Sequence, residues 1–161
     1  DRRQSGFGCA WPIIRQLCEE MKGRAMLEGR DWYAVGGATA EELSKLRTVA
    51  PDNLPSRYLD LLAFSNGGEG PLAVQPYNLC LDPAMRVAET ISSENNGQAD
   101  LHGFLIFGSN GGGEYLAFDT REEAPWPVVV IDMVAGGDSA AIIAPDFDVF
   151  YDRIGIEVEA I

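Results

Sequence analysis

The sequence predicts an α+β fold: a single domain with a largely antiparallel sheet packed by helices. Two observations carry this. Stretches with helical apolar spacing come first, and a run of short, β-like segments joined by hairpin-like, Gly- and Pro-rich turns follows. Regular helices do not separate the strands, which argues against a doubly wound parallel sheet. The length of 161 residues and the 46% hydrophobic content suit one domain with a real core. There is no internal repeat.

In chain order, residues 1–10 are polar and loosely held by expectation. Ile14, Leu17, Cys18, Met21 and Ala25 then share one helical face, predicting a helix over Trp11–Leu27. Arg30–Gly37 is a connection, and residues 1–37 form an N-terminal helix plus connection before the domain proper, 38–161, in one globular unit. Thr39 is an N-cap and Glu42 completes a capping box; Leu43, Leu46 and Val49 form the inward stripe of the next helix.

Leu54–Gly70 is the best-punctuated stretch. Pro55 suits the first helical position, because its missing N–H has no helical partner to lose. Tyr58, Leu61, Leu62 and Ser65 recur at helical spacing, with Leu54, Leu59 and Phe64 widening the stripe. Asn66-Gly67-Gly68 stops the helix through residues that tolerate positive φ. This helix and the one before it are expected to form a hairpin.

Pro71–Val74 and Tyr77–Leu81 read as strands. A helix follows through about Asn95, with Asp82 as its cap and Met85, Ala88 and Ile91 inward. Phe104–Phe107 and Tyr115–Phe118 read as a hairpin around Gly108–Gly113, and Val128–Asp132 as a β-branched strand. Ser139–Ile143 is ambiguous between strand and helix. Pro145–Ile154 reads as the last helix, with Phe147, Phe150, Tyr151 and Ile154 inward.

Composition narrows function. No apolar run approaches the roughly 18–20 residues that span a membrane. Arg15 and Glu19 interrupt the apolar stretch near the start, against a signal peptide. Cys9, Cys18 and Cys80 form no Cys-x-x-Cys pair and are odd in number, so we read reduced thiols in a cytoplasmic protein, with Cys80 buried in a strand. Net charge is −13 and unevenly placed: residues 1–60 hold nine basic and nine acidic side chains, whereas residues 61–161 hold three and sixteen. Such a surface repels nucleic acid and anionic lipid and attracts a basic partner; simple solubility is the alternative reading.

Chemistry-bearing motifs are weak. His102 is the one histidine and lacks the partners of a triad or zinc site. Ser109–Gly113 is followed by Glu114 rather than Lys-Ser/Thr, so a hairpin turn is expected there, not a phosphate cradle. Asp146, Asp148 and Asp152 lack the central glycine of a calcium loop. Neither cofactor nor metal is expected. Trp126 stands between Pro125 and Pro127, either as a stiffly held interface anchor or lying down on the sheet. The candidate partner surface is therefore Glu69, Asp82, Glu114, Glu122 and Glu123, with Trp126.

Leu54-Pro55-x-x-Tyr58-x-x-x-Leu62 followed by Asn66-Gly67-Gly68 resembles the signature of the SUKH superfamily. A second match lies in Phe104–Gly108 with Gly111–Asp119, an apolar strand ending in Gly and a returning strand ending in Asp. The helix Thr39–Val49 is a third. The resemblance spans roughly Ala38 to Gly155. It departs from the family pattern at Val49-Ala50-Pro51, where a glycine often precedes Leu-Pro. In the resembling proteins these are structural positions: Leu54, Pro55, Tyr58, Leu62, Asn66, Gly67, Gly68, Gly108 and Asp119.

The superfamily takes in yeast Smi/Knr cell-wall synthesis regulators and bacterial immunity proteins. The resemblance implies a non-enzymatic protein-binding module, an immunity protein that neutralises a basic toxin domain by stoichiometric binding. The alternatives are a regulatory scaffold like the glucan-synthesis regulators, and a carboxylate-dependent hydrolase.

Overall fold

The computed structural model describes residues 26–158; the helix expected at Trp11–Leu27, except its last two residues, and Cys9 and Cys18 lie outside them. Helix α1 (Ala40–Val49) opens on the capping box, with the Glu42 N–H donating to Thr39 Oγ1 and the Thr39 N–H to Glu42 Oε1. Leu46 is buried as the spacing requires, but Val49 is 40% exposed. Helix α2 (Ser56–Phe64) buries Tyr58, Leu61 and Leu62. Pro55 stands one position earlier than its proline chemistry predicts: it is the N-cap, its extended ψ of 132° places it just outside the helix, and its carbonyl accepts from Tyr58 and Leu59.

Six strands follow in one sheet: β1 (Glu69–Pro71), β2 (Asn78–Leu81), β3 (Phe104–Ser109), β4 (Glu114–Asp119), β5 (Val128–Asp132) and β6 (Ala141–Ala144). Each pairs antiparallel with the next, so sheet order is chain order. Helix α3 (Ala84–Ser92) lies between β2 and β3, and the short α4 (Phe147–Tyr151) follows β6. The ambiguous segment near residue 140 is thus strand, and the last helix is shorter than the sequence predicts.

Two further expectations change. α1 packs more extensively on α3 than on α2, so the two first helices do not form a simple hairpin. α3 turns Ala84, Val87 and Ala88 inward, while Met85 is 39% exposed. At its start Pro83, not Asp82, is the N-cap, and it offers no side-chain acceptor. The Ala84 N–H donates instead to Asn66 Oδ1, at 2.7 Å. α2 itself ends on extended Ser65, and Gly67 and Gly68 take φ of 117° and 107° just beyond it. A Cβ on Gly68 would stand 2.6 Å from the Tyr33 carbonyl oxygen, so the backbone approach and the sign of φ both require glycine.

The pleat sorts the sheet into two faces. Leu79, Leu81, Leu105, Phe107, Leu116, Phe118, Val128 and Val130 join the helices in the main core. Its centre is aromatic: the Tyr58 ring lies 5.6, 5.3 and 5.6 Å from those of Phe107, Phe118 and Phe147. Phe104, Ile106, Ala117, Val129 and Ile131 face the other way, into a smaller cluster closed by Leu101. β3 is bulged against β4 between Ile106 and Gly108, and on its other side Gly108 lies so close to β2 that a Cβ there would stand 2.6 Å from the Cys80 carbonyl oxygen.

The two ends of the described chain are fastened together. The Leu27 N–H donates to Tyr151 Oη (2.8 Å), and the Asp31 N–H to the Gly155 carbonyl (2.8 Å). Arg30 Nη1 donates to the carbonyls of Tyr151 and Ile154. Gly155 in turn donates to the Pro71 carbonyl beside β1.

Candidate interaction cleft

Three segments distant in the sequence converge on a cleft of about 710 Å³. The turn Asp52–Ser56 between α1 and α2 forms one wall. Ala124–Trp126, entering β5, forms the second, and Asp146–Asp148, at the start of α4, forms the third. Trp126 and Phe147 are the buried floor, with Leu54 and Pro55 half-buried beside them. Asp52, Asp146 and Asp148 bring three carboxylates to the lining. Asp146 Oδ1 accepts from the Val149 N–H, capping α4, and Asp148 lies 3.4 Å from Arg57 Nε.

The expected partner surface separates into two regions. Glu122 and Glu123 are exposed on the loop that runs into Ala124–Trp126, beside the cleft. Glu69 and Glu114 lie at the other end of β4, whose six residues span about 17 Å. There Asn78 Nδ2 donates to Glu69 Oε2 and the Asn110 carbonyl, and Asn110 Nδ2 donates to Glu114 Oε1. Asp82 belongs to neither region. It is half-buried at the end of β2, and burial raises its pKa above the usual carboxylate range, with Arg86 opposing.

Trp126 resolves in favour of the sheet. It is 5% exposed, with its ring 6.1 Å from that of Phe118, because the apolar body fills the core between β4 and the cleft. Of the two readings, lying down on the sheet is the one this burial fits, and Trp126 forms part of the cleft floor. Asp52, Asp146 and Asp148 were not expected as a group; no local pattern joins positions about 70 and 20 residues apart from the Trp126 loop, and the fold alone assembles them.

The other chemistry-bearing residues have structural partners. In the Ser109–Gly113 turn, the Gly112 and Glu114 N–H groups donate to Asn110 Oδ1 and the Gly111 N–H to Ser109 Oγ, so these donors do not face an anion. Burial, then the charge of Glu69, raises the pKa of the half-buried Cys80 thiol, which disfavours a nucleophilic thiolate. His102 is exposed beside Gly103. Among the described residues, no group of three or more His, Cys, Asp or Glu is placed to hold a metal ion, and no helix is long and apolar enough to cross a membrane.

The charged residues of the strands are Glu69, Glu114, Asp119 and Asp132, all acidic, whereas α1, α2 and α3 carry both signs, Lys45, Arg47, Arg57 and Arg86 beside Glu41, Glu42, Asp60 and Glu89. Asp119 is locked by Arg121, which donates to both its oxygens at 2.9 Å and holds the carboxyl below its usual range.

The positions of the family signature therefore do structural work: Tyr58 and Leu62 in the core, Asn66 on α3, Gly68 and Gly108 against neighbouring backbone. Together with a helix-packed antiparallel meander, they define an α+β module of the SUKH type. The chain belongs to the SMI1/KNR4 family (SUKH-1), whose model matches residues 37–153. SUKH domains are generally non-enzymatic immunity or regulatory proteins, and at that level this chain is an immunity- or Smi1-like module for protein–protein interaction. No curated protein compared with it matches.

Proposed function

We propose that this chain is an immunity protein acting in the cytoplasm, which binds a cognate basic toxin domain, such as a nuclease, in a stoichiometric complex and occludes its active site. The observation that carries the reading is the charge of residues 61–161, sixteen acidic against three basic side chains, together with exposed Glu122 and Glu123 beside a carboxylate-lined cleft. A basic nucleic-acid-cleaving surface and this one are complementary. Steering by such fields accelerates encounter, while the same field repels nucleic acid itself. The chain performs no chemistry in this scheme and needs no cofactor; affinity comes from exclusion of substrate.

The test pairs this chain with a basic toxin domain. Co-expression is expected to restore growth, and purified components to form a complex of fixed stoichiometry. The association rate should fall steeply as salt rises, because exposed charges are screened beyond about 8 Å at physiological ionic strength. Glu122→Gln/Glu123→Gln should slow association. A salt-independent rate unchanged in the double variant removes the steering model, and binding only to acidic partners removes the basic-toxin assignment.

A further inference from the structure

We propose that the cleft between Asp52–Ser56, Ala124–Trp126 and Asp146–Asp148 is a docking site for one lysine or arginine residue of the partner, whose cation sits among the carboxylates while a neighbouring main-chain carbonyl accepts from the Trp126 indole N–H. This rests on the basic-partner reading above and names the place where that partner is gripped.

The indole carries the argument. Trp126 is 95% buried, being 5% exposed, yet its N–H donates to no acceptor among the described residues. Buried indole N–H groups ordinarily find a partner. Trp32 does so, donating to Ser65 Oγ at 3.3 Å. Nor is the Trp126 N–H sealed inside the core, since Tyr58 Oη is the fully enclosed side-chain polar atom that lacks a partner among the described residues. Trp126 itself lines the cleft, and its N–H is open to solvent rather than enclosed. In this proposal the cleft is the side from which a ligand meets the donor.

The lining selects the sign of the ligand. Asp52, Asp146 and Asp148 contribute three negative charges, and Glu122 and Glu123 stand exposed on the adjoining loop. Opposing them are Arg57, held on Asp148, and the amino end of α2, worth about half a positive charge. The balance stays negative. An anion is disfavoured, and a neutral apolar group would leave the carboxylates desolvated without a partner.

A ligand that supplies both a cation and an acceptor satisfies both features, and a basic residue within a peptide does so through its side chain and its backbone. Its alkyl stem has Leu54, Pro55 and Phe147 to lie against. The volume falls within the roughly 300–1,000 Å³ of ligand clefts, enough for a side chain with flanking main chain.

The experiment uses the full chain labelled with ¹⁵N and a capped heptapeptide alternating glycine with lysine and arginine, read at low salt by the indole resonances. Trp126→Phe assigns the Trp126 signal. That signal is expected to move saturably on titration. Asp52→Asn/Asp148→Asn, at two exposed side chains, should weaken binding roughly tenfold, the effect of losing two modest surface ion pairs. Glu69→Gln/Glu114→Gln, at the far end of β4, should leave it unchanged. Peptide binding that leaves the Trp126 signal still and ignores Asp52→Asn/Asp148→Asn overturns the cleft while sparing the basic-partner reading. Failure of the peptide to bind anywhere at low salt overturns both.

Discussion

The side-chain oxygen of Asn66, just past the end of α2, accepts from the Ala84 N–H at the start of α3, 18 residues on in the chain. One residue thus ends one helix region and caps the next. Asn66→Ala should cost about 1 kcal/mol, the usual worth of an N-cap acceptor, whereas Asn66→Asp should retain stability by keeping the oxygen and adding charge at a helix amino end. Urea midpoints of the two variants decide this; equal losses would show that the cap is not what Asn66 supplies.

Tyr58 carries an enclosed hydroxyl with no partner among the described residues, in an aromatic cluster. Burial, reinforced by the charge of Asp82, pushes its pKa far up, so the hydroxyl stays protonated. Tyr58→Phe removes an unsatisfied polar atom and keeps the ring, so it should raise stability by up to about 1 kcal/mol. Tyr58→Leu should cost more than about 2 kcal/mol by opening a cavity. A destabilised Tyr58→Phe protein in thermal unfolding would mean that the hydroxyl has a partner after all.

Asp82 and Asp119 should respond to pH with opposite signs. The folded pKa of Asp119 is depressed, chiefly by its hydrogen bonds from Arg121, so its stabilisation is present above the unfolded-state pKa and fades as pH falls through the folded value. The folded pKa of Asp82 is raised by burial, so its charged form is a penalty above that raised value, and the penalty vanishes as pH falls below the unfolded pKa. Asp119→Asn should therefore lower, and Asp82→Asn raise, the melting temperature at about pH 7, and both differences should shrink toward about pH 3. Differences that persist unchanged at the acid end would contradict the assignment.

Gly108→Ala tests the close approach of β3 to β2. The added Cβ meets the Cys80 carbonyl oxygen at 2.6 Å, and backbone on both sides of the contact has little room to yield. We expect a loss of about 1–3 kcal/mol in urea unfolding, as for other overpacked positions. Gly113→Ala, where a Cβ meets nothing within 4 Å, is the matched control and should be close to neutral.

The legible parts of this fold are those written locally. The Thr39/Glu42 box, the Tyr58–Leu62 stripe and the β-branched run at Val128 each satisfy their own geometry from neighbouring residues, and the structure keeps them. The start of α3 was not legible, because a residue beyond the end of α2 supplies its cap, whereas Ala88 and Ile91 of its inward face were. The candidate cleft was less legible still. Glu122, Glu123 and Trp126 fall beside or within it, but Asp52 and the Asp146–Asp148 pair join them only through the packing of α2 and α4 around the Tyr58 cluster.

The fastening of Leu27–Asp31 to Tyr151–Gly155 also sets an order of events during synthesis. Each strand after β1 meets its neighbour as soon as it leaves the ribosome, because sheet order is chain order. Leu27, Arg30 and Asp31 emerge before any strand, but their hydrogen-bond partners are about 120 residues away in the chain. The sheet can therefore grow vectorially, with local contacts that form fast. The earlier-made segment waits for the later-made one, and a nascent chain stalled before Tyr151 would carry its meander with the Leu27–Asp31 strap still undone.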